Sequence, residues 1–149
     1  MICPNLTQIN VALRTKMVEL LHDYASAIVI VPEAMPDVFN AGKVLVLPAL
    51  KPVLVEGAEL GGRAGLSQRK GNFLVTLSVP KENADMQTAA WNMADALAAG
   101  FRMLSLPCTG GGIVYMADPY ITHAGATPDY RLSLMVTVPW VSWTGGEGV

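Results

Sequence analysis

The 149 residues carry ten Lys and Arg against twelve Asp and Glu, for a net charge of −2 and a pI near 5.6. That balance argues against a protein whose main task is gripping nucleic acid, which needs a basic face. Hydrophobic residues make up 52% and charged residues 15%, with mean hydropathy +0.38. A chain of this length hides only about 70% of its unfolded surface, so part of the apolar surplus is expected outside the core, as interface.

The longest charge-free stretches, Met103–Ala117 and Leu132–Gly146, are broken by Pro, Gly, Ser and Thr. They also fall short of the roughly 20 apolar residues that a membrane helix needs, so no membrane span is expected. Met1–Gln8 lacks the basic and apolar regions of a signal peptide, which makes the cytosol the expected compartment. There, Cys3 and Cys108 are expected as free thiols.

Asn5 followed by Gln8 resembles a capping box. From there Ile9, Leu13, Met17, Leu20 and Tyr24 recur at helical spacing, with Arg14, Lys16, Glu19 and Asp23 largely on the other side. Ala27–Val31 is a short β-branched run stopped by Pro32 and predicts a strand, followed by a loop from Glu33 to Gly42. Val44–Leu47 predicts a second strand ended by Pro48, and Pro52–Glu56 a third that its proline confines to an edge. Gly57 to Gly71, with five glycines and the basic residues Arg63, Arg69 and Lys70, predicts a mobile loop.

Next comes the clearest strand, with Phe73, Val75, Leu77 and Val79 facing one way and Asn72, Thr76 and Ser78 the other; Leu74 is the exception. After Pro80, Asn83 or Asp85 caps a second helix running to about Leu104, with Met86, Ala90, Met93, Ala94, Leu97, Phe101 and Leu104 as its apolar stripe. Gly110-Gly111-Gly112 predicts a turn, Ile113–Tyr120 a strand, and Leu132–Trp140 a last alternating strand. Helix, strands, helix, strands in this order fit an α+β two-layer sandwich, a mixed and mostly antiparallel β-sheet covered by two helices. With no repeat and no composition shift, residues 1–149 form one expected domain, with 1–5 and 144–149 flexible.

The sequence offers no catalytic, cofactor or metal site. His22, near the end of the first helix, and His123, in a predicted loop, have no partner pattern. Gly65-Leu66-Ser67-Gln68-Arg69 lacks the second glycine of a nucleophile elbow. The triple glycine precedes a strand rather than a helix, so it lacks the geometry of a phosphate loop. Asp118, His123 and Asp129 match no metal-ligand spacing. Asp85 and Asp95, ten positions apart, form no carboxylate pair. Arg63, Arg69 and Lys70 fit either a solvated loop or an arm facing a partner or a DNA-filled channel.

From Lys70 onward the pattern becomes specific. Lys70-Gly71-Asn72-Phe73 opens a strand that closes at Pro80, and the next helix carries Ala94-Asp95-Ala96-Leu97 and Phe101-Arg102. The glycine turn, Asp118-Pro119 and the closing Val136-Thr137-Val138-Pro139-Trp140 follow. Together with the amino-terminal elements, this layout over about Leu6 to Trp143 resembles the small tail-terminator-like and minor tail proteins of long-tailed bacteriophages. Pro52–Gly62 and Cys108-Thr109 depart from it.

The resemblance implies a structural protein without catalysis, made in the host cytoplasm and then held in the virion tail. It implies a homo-oligomeric ring, hexameric in the familiar type. The ring caps the tail tube protein, ends its polymerisation and offers a surface to a head-completion or neck protein. It implies no cofactor, membrane or sequence-specific nucleic acid. Because Ala27–Val31 and Val44–Leu47 carry no charge, edge strands at Val29 and Leu45 are the expected subunit contacts. The alternatives are a neck protein of the same small type, or a cytosolic oligomer binding a metabolite through residues such as Arg102, Tyr115 and Arg131.

Overall fold

The computed structural model describes residues 5–30, 44–57, 67–80, 84–108, 112–126 and 131–144. Helix α1 (Leu6–Leu20) starts as its sequence predicts. The Asn5 side chain accepts from the Gln8 N–H at 2.8 Å, and the Gln8 side chain accepts from the Asn5 N–H at 2.9 Å. Two amide groups that a helix start leaves without partners are thereby satisfied. Ile9, Leu13, Met17 and Leu21 are buried, so the inward stripe ends at Leu21 and leaves Leu20 half-buried. A 3-10 turn (His22–Ala27) then carries the chain into strand β1 (Ile28–Ile30).

Strand β1 pairs in parallel with β2 (Val44–Gly57), which pairs antiparallel with β3 (Ser67–Pro80). Helix α2 (Ala84–Phe101) follows, then β4 (Ser105–Pro107), β5 (Ile113–Met116), β6 (Tyr120–Ala126) and β7 (Arg131–Thr144). The strand order is β1-β2-β3-β7-β5-β4, with β6 also on β7, all antiparallel except β1–β2. This is the expected α+β two-layer sandwich with a mixed, mostly antiparallel sheet.

Cross-strand partners share a face, and the register accounts for the core. Phe73 pairs with Val138, Val75 with Val136 and Leu77 with Leu134, all buried and all facing the helices. Onto them α2 lays Ala90, Met93, Ala94, Leu97 and Phe101. The rings of Phe101 and Phe73 meet edge to face at 6.1 Å. Full burial of each large side chain contributes about 1.5–3 kcal/mol. Gly100 brings the two helices together: a Cβ there would overlap the methyl groups of Leu20.

Several elements differ from expectation, each for a physical reason. β2 is one strand of fourteen residues that passes through Pro48 and Pro52, with a bulge between Pro52 and Leu54. Beyond Val46 it pairs only with β3 among the described strands, and an edge tolerates nitrogens that donate nothing. β3 begins at Ser67, so Arg69 and Lys70 belong to a strand and not to a loop; Arg69 sits opposite Val55 and Ser142, Lys70 opposite Leu54 and Val141. The predicted strand Ile113–Tyr120 is broken instead at Ala117–Pro119. There, three residues stand against Val138 and Pro139, and Ala117 donates to the Pro139 carbonyl at 3.0 Å. His123, expected in a loop, lies in β6. Helix α2 ends at Phe101, three residues early, where Met103 adopts φ 52. Of the ends expected to be flexible, Asn5 is the α1 cap and Thr144 closes β7.

Candidate interaction surface

Among the described residues, no three His, Cys, Asp or Glu side chains gather as metal ligands would. No described helix is long and apolar enough to cross a membrane. Arg102 pairs with Asp118 at 3.0 Å, with both side chains about two-thirds exposed. Such a pair is worth at most about 1 kcal/mol. The ring of His123 stacks on that of Trp91, with centroids 6.4 Å apart. Asp85 and Asp95 are exposed on α2, Cys108 is a free, buried thiol, and Arg63 and Asp129 lie outside the described residues.

What the fold does gather is apolar surface, in two unlike places. The first is on α1 and β1. Val11 and Val18, seven residues apart on α1, are half exposed on the same side of the helix, and Ile30 is exposed on β1. Val18, Leu21, His22, Ile28 and Ile30 enclose a notch of about 240 Å³. The second is on β5 and β6, on the sheet face away from the helices. Tyr115 sits opposite Val141 and Tyr120 opposite Thr137, so both rings leave the same face, and Ile113 joins them by alternation along β5. Beside Tyr115 a shallow groove of about 340 Å³ runs between Asn72, Ala117, Pro139 and Val141.

Val29 lies in β1, an edge strand among the described residues, opposite Leu45. Leu45 itself is not on an edge: β1 flanks it on one side and Ser78 of β3 on the other, leaving it 4% exposed. The lack of charge in Val44–Val46 reflects an interior position, which composition alone does not separate from an unprotected edge. The second apolar group escaped sequence reasoning because Ile113 and Tyr115 look like ordinary strand residues until β5 is placed near the end of the sheet. A signal was present in the alternation of Ile113 and Tyr115 with Val114 and Met116, the buried pair.

No family model matches this sequence, and no curated protein matches it. One solved structure, whose name describes no activity, is similar with a TM-score of 0.67 and 17% identity, covering 93% of this chain and 95% of its own. At that identity the likeness is one of fold: the α+β architecture of this chain is that of a known structure over nearly its whole length.

Proposed function

We propose that this protein is a phage or prophage tail terminator that closes into a ring on the end of the tail tube. In that role it ends tube polymerisation and presents a surface to a head-completion or neck protein. The observation that supports this reading is the pair of unlike apolar groups, one on α1 and β1 and the other on β5 and β6. A ring needs a heterologous interface, in which one patch docks on a different patch of the next copy. Val11, Val18 and Ile30 offer an aliphatic patch, and Ile113, Tyr115 and Tyr120 an aromatic one, suited to mutual docking. Aromatic side chains supply large contact areas at such interfaces.

In this reading the protein acts by where it places its surfaces, without catalysis, in the host cytoplasm and then in the virion. Negative-stain imaging of the purified protein, alone and with tail tubes, tests it. The expected result is rings with a central hole that seat on tube ends. Particles that stay small and ignore the tubes would remove the proposal.

A further inference from the structure

Near the start of α1 a notch of about 330 Å³ is lined by Asn5, Leu6, Thr7, Pro52, Arg69, Lys70 and Trp140. The capping box occupies the N–H of Gln8, which leaves those of Leu6 and Thr7 without an acceptor inside the helix. No acidic residue stands in the first turn of α1, and none is among the described residues that line the notch. Trp140 is 2% exposed, yet its indole Nε1–H has no hydrogen-bond partner among the described residues. A buried donor left unmade costs about 1–3 kcal/mol, and native folds rarely leave one without reason.

The orientation of that indole is fixed. A Cβ on Gly71 would come within 2.9 Å of Trp140 Cζ2 and also of the Pro52 Cα. Cζ2 is bonded to the ring carbon that carries Nε1, so the N–H edge of the ring lies on the side of Gly71 and Pro52, where the notch opens. Arg69 lies on the same face of β3 as Gly71 and Trp140, half-buried and already in an interaction of its own, and brings positive charge to the notch; Lys70, the next residue, lines it from the opposite face of the strand.

The geometry points to an anion site of the phosphate class, in which Leu6 N–H, Thr7 N–H and Trp140 Nε1–H donate to the oxyanion and the positive charge of Arg69 on the same face favours it. A helix start with free amides is pre-oriented for phosphate, and the indole donor gains its missing partner. The inference is independent of ring assembly. Free phosphate and a backbone phosphodiester share the chemistry, and the test separates them.

The test is titration of the ¹⁵N-labelled full chain with inorganic phosphate, and in parallel with a short deoxyoligonucleotide, each against sodium chloride at equal ionic strength. The expected result is a saturating shift of the Trp140 indole N–H together with the Leu6 and Thr7 amides. Whichever ligand shifts them at lower concentration identifies the source. Trp140→Phe, which keeps an aromatic ring and removes the donor, is expected to weaken binding roughly tenfold. Leu6→Pro serves as a second variant: proline is favoured at the first helical position, so the fold is kept while one donor is lost. Its apparent Kd should also rise severalfold. The inference is overturned if neither ligand moves the three signals beyond the chloride control, or if Leu6→Pro binds as the unaltered protein does.

Discussion

Replacing Gly71 with Ala asks whether backbone spacing at the β2 bulge is as tight as the structure shows. In a strand interior, Gly to Ala ordinarily stabilises by about 0.5–1 kcal/mol, because glycine loses more freedom on folding. At Gly71 the new methyl group would collide with the Lys51 carbonyl oxygen and approach the Pro52 Cα and Trp140 Cζ2, each to 2.9 Å. Two of these three atoms are backbone and cannot swing aside. Forced overpacking of this kind costs about 1–3 kcal/mol and outweighs the entropy gain. The midpoint of thermal unfolding, followed by circular dichroism, should then fall by roughly 3–10 °C.

Gly100→Ala provides the contrast. Its methyl group would also overlap atoms, but these belong to the end of the Leu20 side chain, which can turn away. In the helix, alanine regains about 1 kcal/mol of propensity, so this variant should lie within about 1 kcal/mol of the unaltered protein. If Gly71→Ala were as stable as Gly100→Ala, the close packing of β2, β3 and Trp140 would be wrong.

Other outcomes follow from single contacts. Phe101→Ala removes a fully buried ring that meets Phe73 edge to face and should cost about 3–5 kcal/mol in denaturant unfolding. Met103 is exposed and holds φ 52, a conformation that costs a residue with a Cβ about 1–2 kcal/mol. Met103→Gly should therefore raise the unfolding midpoint, the reverse of the usual effect of glycine. Burial raises the pKa of the Cys108 thiol by disfavouring its thiolate. The stability gained by keeping it neutral is present at neutral pH and is lost as pH rises above the ordinary thiol value of about 8.5. In a Cys3→Ser background, a thiol reagent should consume Cys108 much more slowly in the native protein than in denaturant.

The parts of the fold that were legible in sequence are those where one local pattern suffices. Asn5 and Gln8 mark the start of α1. The alternation of Phe73 to Val79 and of Leu134 to Trp140 sets the inward faces of β3 and β7. The parts that were not legible depend on neighbours. Pro48 and Pro52 look like strand breakers until β2 is seen to pair there with β3 alone among the described strands. Leu45 looks like an edge until β1 is seen beside it. Arg69 and Lys70 follow a glycine-rich stretch, yet β7 continues to Thr144 and keeps them paired. The Trp140 N–H leaves no trace in composition, because its lack of an acceptor among the described residues is a matter of three-dimensional placement.

The central claim, a ring built from two unlike patches, has a direct test in complementation. Val18→Lys charges the aliphatic patch and Tyr115→Lys the aromatic one, both at exposed positions where folding should survive. Sedimentation velocity of each variant alone, and of an equal mixture, separates the possibilities. A heterologous interface predicts that the unaltered protein forms closed oligomers and that each variant alone is monomeric. It also predicts that the mixture forms dimers, because each variant supplies the patch the other lacks. Variants that assemble like the unaltered protein, or a mixture that stays monomeric, would contradict the account.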